Sequence, residues 1–127
     1  MKFLSRAVLG AAIAIASLGA FAGERAFTQQ AFDELRAEGK PVAVHVHATW
    51  CGVCKKQAEI VTGLLAQPAF KDLTVLRADF DTDKAVQSAL HVTQRSTIVV
   101  FKGRDEVGRS AGDTDPGHLS DLLHKAL

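Results

Sequence analysis

Cys51 and Cys54 are the two cysteines of this 127-residue chain, and only Gly52 and Val53 separate them. A disulfide that closes so short a loop removes little entropy from the unfolded chain, which makes it a poor structural staple. The same spacing suits a pair that opens and closes. One sulfur attacks a disulfide, and the second releases whatever the first has captured. The attacking species is the thiolate, and a helix start favours it, because free N–H groups and the helix dipole stabilise negative charge there. Lowering a cysteine pKa from ~8.5 to ~7 raises the thiolate fraction at neutral pH from a few per cent to about half. Cys51, beside a loop, is expected to be the exposed nucleophile. Cys54, one turn further in, is expected to be the shielded resolving thiol.

For that chemistry a strand must lead into Cys51 and a helix must leave it. Residues 42–48 read as the strand, with Val42, Val44, Val46 and Ala48 on one face and Ala43, His45 and His47 on the other. So few charges fit a strand covered on both sides. Residues 51–66 read as the helix, with Cys54, Ala58, Val61 and Leu65 in register and Pro68 ending it. Upstream, Thr28 is a good N-cap, Phe27 and Phe32 fit a hydrophobic staple, and Gly39 suits a helix C-terminus, so 29–38 is predicted helical. Downstream come a strand over 74–80, a short helix capped by Asp81-Thr82-Asp83 and running to about Leu90, and a strand over 97–102. A turn at Gly103-Arg104-Asp105 leads to an antiparallel return over 106–110. Asp115 caps and Pro116 opens a last helix, with Leu119, Leu122 and Leu123 inward. The order α-β-α-β-α-β-β-α points to an α/β layered fold.

The segment Ala48-Thr49-Trp50-Cys51-Gly52-Val53-Cys54-Lys55 resembles the active-site segment of the thioredoxin superfamily. Thr97-Ile98-Val99-Val100-Phe101-Lys102-Gly103 is similar to a core strand and turn of that family, Gly112 to its glycine before the final helix, and Val75 to Asp81 to its strand ending in an acidic residue. The resemblance implies a thioredoxin fold, a central mixed β-sheet flanked by helices on both faces. It implies a protein disulfide oxidoreductase that uses Cys51 and Cys54 and needs no cofactor. Thioredoxin itself is a standard instance of a cysteine lowered to ~7, so that magnitude comes with the resemblance and not from residue spacing.

Three departures from the family pattern bear on the site. His45 occupies the position of a buried aspartate that accepts the resolving cysteine's proton. The resemblance implies the same catalytic part for the imidazole, with a pKa nearer working pH; the other reading is a histidine that fills space and bonds to a backbone carbonyl. Ser96 stands just before Thr97, where the family has a cis-proline that faces the cysteines and orients substrate. A cis bond before a non-proline residue costs ~3–4 kcal/mol, so the Arg95–Ser96 bond is predicted trans. Trp50, Ser96 and Thr97 are the expected substrate-binding residues, Trp50 as a partly exposed platform or as simple packing. Val53 replaces a typical proline, and Glu59 stands where a helix-kinking proline is usual. Both features, with Gln67-Pro68-Ala69-Phe70, are closer to the thioredoxin-like domain of bacterial transmembrane thiol–disulfide interchange proteins. That leans the reading toward a reductase or electron carrier.

The alternative is a copper or zinc module built from Cys51, Cys54 and His47, with His45 on the same side of the strand. Arg77 matches a family lysine near the buried acid, or is a solvated strand-end charge. Asp79, Asp81 and Asp83 lack the glycine of a calcium loop and read as capping residues. His91, His118 and His124 read as surface residues.

The formal charge of +1 and ordinary apolar fraction of 47% give no reason to expect nucleic acid as a partner. Disulfide-containing or dithiol proteins are the expected partners, with a membrane electron-transfer protein as a candidate, and a monomer is expected. Lys2 and Arg6 precede an apolar run over 7–20 that ends in Ala20-Phe21-Ala22. That run is roughly 15 residues, short of the ~20 that span a bilayer, and reads as a signal peptide cut after Ala22. The expected organisation is a leader over 1–22 and one domain over 23–127, periplasmic or secreted.

Overall fold

Why the chain turns helical after Thr28 is visible at both ends of the helix. Thr28 is extended, and its hydroxyl accepts a hydrogen bond from the Ala31 N–H at 3.1 Å. The rings of Phe27 and Phe32 meet at 5.5 Å between centroids, which closes the staple. At the other end Gly39 adopts φ 70°. Its N–H bonds to the Arg36 carbonyl and that of Lys40 to the Leu35 carbonyl, the paired bonds of a Schellman stop.

The structure, a computed structural model, describes residues 22–127 together with Gly10. The expected leader therefore lies, apart from Gly10 and Ala22, outside the described residues. The elements are β1 (Gly23–Ala26), α1 (Gln29–Ala37), β2 (Pro41–His47), α2 (Gly52–Leu65), a 3₁₀ turn (Pro68–Phe70), β3 (Thr74–Asp79), α3 (Lys84–Leu90), β4 (Thr97–Lys102), β5 (Asp105–Ala111) and α4 (Pro116–His124). All eight expected elements are present. The strand β1 and the 3₁₀ turn are additional.

The five strands form one mixed sheet in the order β1-β3-β2-β4-β5. β1 and β2 run parallel to β3, while β4 runs antiparallel to both β2 and β5. Central β2 is buried along its middle five residues, because each face has its own cover. Val42, Val44 and Val46 pack with Phe32 and Leu35 of α1 and Val86 of α3. Ala43 packs on the opposite side with Val61 and Leu64 of α2 and Leu119, Leu122 and Leu123 of α4. That places helices on both faces, as the fold class expected.

The face that α2 turns to the sheet differs from the expected register. Its buried residues are Cys54, Gln57, Val61 and Leu64, while Ala58 and Leu65 are only partly covered. The helix is rotated by about one residue, and a polar side chain, Gln57, lies fully buried in the sheet-facing row. Helix α2 is unbroken from Gly52 to Leu65, in keeping with Glu59 in place of a kinking proline. It starts where β2 delivers the chain, so the sheet fixes the position of the helix start and of Cys51.

Candidate active site

Cys51 is the N-cap of α2 and not a residue of its first turn. Its backbone is extended (φ −95°, ψ 111°), and its sulfur accepts the Cys54 N–H at 3.2 Å. A sulfur in the place of a capping oxygen receives a backbone donor that would otherwise lack a partner. The Ser96 hydroxyl lies 3.3 Å from Cys51 Sγ and 2.9 Å from Cys54 Sγ, so it bridges the two. Burial pushes the Cys51 thiol upward. Hydrogen bonds from the Cys54 thiol, the Ser96 hydroxyl, the Cys54 N–H and the Arg95 side chain outweigh burial and bring it down to about 7. Cys54 moves the other way: burial first, and then the neighbouring Cys51 sulfur, hold its proton on. The asymmetry expected of an attacking and a resolving thiol is therefore present.

Exposure corrects one expectation. Cys51 is 6% exposed and Cys54 2%, so the attacking sulfur is nearly covered rather than open. The cover comes from the 93–96 turn and Phe80, which with Val53 and Gly112 line a cavity of about 350 Å³ reaching Cys51. Trp50, at 59%, and Val53, at 44%, are the large side chains that stand out beside it. The Trp50 indole N–H donates to Asp81 Oδ2 at 2.7 Å, and the Arg95 guanidinium sits 4.5 Å over the ring. An exposed ring held at two points is a rigid apolar surface beside the cavity.

Ser96 is held in an unusual conformation. No cis peptide bond occurs among the described residues, so Arg95–Ser96 is trans as expected, but Ser96 adopts φ 65°. The left-handed region costs a non-glycine residue roughly 1–2 kcal/mol, and neighbouring bonds must sustain it. The Ser96 N–H donates to the Val46 carbonyl at 2.9 Å. The Ser96 carbonyl accepts from the Gly112 N–H at 2.9 Å and from Gln57 Nε2 at 3.0 Å. Both backbone polar groups of Ser96 are thus bonded inside the fold. Thr97 is buried and its hydroxyl donates to the Gln94 carbonyl, so it shapes the turn and does not face the cavity, because β4 has begun there.

His45 is fully buried, and burial drives its pKa down to about 4, although the Gln57 bond pulls the other way. The expectation of a value nearer working pH is overturned, since the same burial that brings the ring close to the site removes the water that would stabilise its charge. The tautomer follows from Gln57. Both amide N–H groups of Gln57 are spent on the carbonyls of Ser96 and Asp113, so its oxygen faces the imidazole. His45 Nε2, at 3.1 Å, must donate to that oxygen, and Nδ1 is a bare acceptor without a partner among the described residues. Gln57 joins His45 to the Ser96 turn, and sequence reasoning missed it. Its signal was a polar residue one turn after Cys54, on the helix face that the rotated register turns inward.

The other candidates make no hydrogen bond to the sulfurs. Arg77 pairs with Glu24 at 2.7 Å, and Glu24 also accepts from Thr62, so β1, β3 and α2 are tied together there. Asp79 accepts the N–H groups of Asp81 and Thr82, and Asp83 turns back to the Asp79 N–H instead of capping α3. His47 and Arg77 line two cavities, one of which, about 170 Å³, also reaches Cys54, but His47 makes no hydrogen bond to either sulfur. The metal alternative finds no support: among the described residues no three His, Cys, Asp or Glu side chains converge on a site for an ion.

Residues 24–125 match the family model of thioredoxin. The chain belongs to the thioredoxin family. It is 34% identical over 79 residues to the thioredoxin of Mycobacterium tuberculosis, which covers 62% of this chain and 67% of that protein. With the thioredoxin of Chlamydia trachomatis it shares 31% over 98 residues, 77% of this chain and 93% of that one. Among solved structures it is similar to Trxlp from Edwardsiella tarda, at 44% identity and a TM-score of 0.78, over 80% of this chain and 98% of that one. As a thioredoxin-family protein it is a thiol–disulfide oxidoreductase acting on disulfide-containing proteins. The thioredoxin fold is here built around a serine-bridged cysteine pair, with an imidazole in the buried acid's place.

Proposed function

We propose that this chain is an exported dithiol–disulfide exchanger in which Cys51 attacks and Cys54 resolves. The observation that carries the reading is the Cys51 sulfur at the cap of α2, receiving the Cys54 N–H with its pKa lowered to about 7. The Cys51 thiolate attacks one sulfur of a substrate disulfide and expels the other as a thiolate. Cys54 then gives up its proton and attacks Cys51 Sγ, forming the Cys51–Cys54 disulfide and freeing the second substrate sulfur. Two electrons pass to the substrate, and the protein is left oxidised.

Trp50 and Ser96 bind the substrate, Ser96 as part of the cavity wall and Trp50 by the exposed ring that stands beside the cavity. Thr97 serves that cavity from behind, by fixing the turn. His45 is neutral at working pH and acts through Gln57 as a positioning residue rather than as the proton acceptor. The direction is reduction, the location is the periplasm, and a membrane electron-transfer protein restores the dithiol. Support for export is the apolar leader, with β1 opening at Gly23 directly after the expected cut.

Insulin-disulfide reduction tests the core of the reading. Cys51→Ser should abolish it, and Cys54→Ser should accumulate a mixed disulfide on Cys51. Retained exchange in Cys51→Ser would sink the assignment. The direction is checked by the reduction potential of the pair: a value near the about −270 mV of thioredoxin fits a reductase, and one more than about 100 mV higher an oxidant. N-terminal sequencing of exported protein should read from Gly23.

A further inference from the structure

We propose that the Ser96 hydroxyl is a catalytic proton relay, carrying the proton of Cys54 to the substrate sulfur that leaves Cys51. This rests on the exchange reading above and assigns its proton path. Resolution requires that the Cys54 thiol lose a proton and that a departing alkyl thiolate gain one. Ser96 Oγ touches both protein sulfurs, at 2.9 Å from Cys54 and 3.3 Å from Cys51. It also lines the cavity that reaches Cys51, where a substrate sulfur bonded to Cys51 would sit.

The groups around the sulfurs leave this task to Ser96. His45 makes no hydrogen bond to either sulfur, and its Nε2 proton is committed to Gln57; His47 lines a cavity with Cys54 but is not bonded to its sulfur. Asp81 accepts from Trp50, and Asp79 accepts two backbone N–H groups. The Arg95 guanidinium lies over the Trp50 ring and favours the Cys51 thiolate, but it has no acceptor to offer. A serine hydroxyl both donates and accepts, which a relay demands and a proline in its place could not supply. The left-handed turn makes the contact possible, and the bonds to Val46, Gly112 and Gln57 hold it there. Gln57 is thus a positioning residue for the relay.

The step balances without an outside acid or base. The Cys54 proton moves to Ser96 Oγ as the Ser96 proton moves to the leaving sulfur. Cys54 Sγ bonds to Cys51 Sγ, and the broken Cys51–substrate bond leaves its electron pair on the departing sulfur. The products are the protein disulfide, a neutral substrate thiol and a regenerated serine hydroxyl.

The test exploits the leaving group. The reduced protein is mixed with oxidised glutathione, whose thiol departs as a basic alkyl sulfur. In parallel it is mixed with dithiobis(nitrobenzoate), whose acidic aryl thiol departs as a stable anion and needs no proton. Acid quenching and mass spectrometry give the rate at which each mixed disulfide on Cys51 resolves. Ser96→Gly suits the positive φ and removes the hydroxyl; Ser96→Ala removes it and keeps the Cβ. In both variants glutathione departure should slow by about 100-fold more than aryl-thiol departure, at the low end of general acid–base effects. Equal slowing of the two leaving groups, or slowing of neither, overturns the relay alone. A wild-type protein that releases neither glutathione nor aryl thiol, and is not oxidised by either reagent, overturns the exchange reading and the relay together.

Discussion

At the scale of the residue, two chemically identical side chains three positions apart are made different. Cys51 collects donors because it caps a helix and faces Ser96 and Arg95, whereas Cys54 is buried beside the sulfur that takes the charge. Alkylation of Cys51 by iodoacetamide should therefore rise with pH through a half-point near 7 and level off. The second thiol should react only at higher pH. Removing the Ser96 hydroxyl should move the first half-point upward, because one of the bonds that favour the thiolate is lost. Mass spectrometry of partly alkylated protein checks which cysteine is modified at each pH. The cysteine pair, Trp50 and the trans Arg95–Ser96 bond were legible from residue types. Gln57 was not, because its role depends on which face α2 turns inward, and a one-residue rotation decides that.

At the scale of the element, the site depends on how α2 is fastened to the 93–96 turn and to the segment before α4. Gln57 supplies that fastening with three bonds, buried ones to His45 and Ser96 and a partly buried one to Asp113. Gln57→Leu keeps the bulk and removes all three, stranding polar groups that cost ~1–3 kcal/mol each when unpaired. A loss of about 3 kcal/mol is expected in urea unfolding, with slower insulin reduction in the protein that stays folded. An effect below about 1 kcal/mol would mean that the bonds are replaced by water. A second fastening lies between β5 and α4. A Cβ on Gly108 would stand 2.9 Å from Leu122 Cδ1 and 3.2 Å from Lys125 Cδ, so α4 approaches the sheet over a bare backbone. Gly108→Val should cost about 1–3 kcal/mol by overpacking, read as a lower urea midpoint with an unchanged slope. The eight expected elements were legible because each carries its own cap, break or alternation. The edge strand β1 was not. Its four residues, Gly-Glu-Arg-Ala, have no strand pattern of their own and are ordered by pairing with β3 and by the Glu24–Arg77 contact.

At the scale of the whole molecule, an imidazole in the middle of the sheet couples folding to acidity. In the unfolded chain His45 protonates as the pH falls below about 6.5, but in the fold not until about 4. Between those values the unfolded state binds a proton that the folded state refuses. Its contribution is present in full above about 6.5 and is lost as the pH falls toward 4. The span corresponds to about 3 kcal/mol, a sizeable share of the roughly 5–15 kcal/mol typical of a domain. Other groups titrate nearby. Asp79, Glu106 and Asp113 are held below the usual carboxylate range and lose their contributions only at lower pH. His118, raised first by its bond to Asp113, works in the opposite sense, adding stability below about 6.5. Comparison with His45→Gln cancels these, since the glutamine does not titrate and can still donate to Gln57. Urea midpoints at about pH 7.5, 5.5 and 4.5 should fall steeply for the native chain and more gently for the variant, whatever stability the variant loses at neutral pH. Parallel slopes would mean that His45 carries its proton inside the fold. The neutral ring, the tautomer assigned through Gln57 and the positioning role built on both would then have to be abandoned.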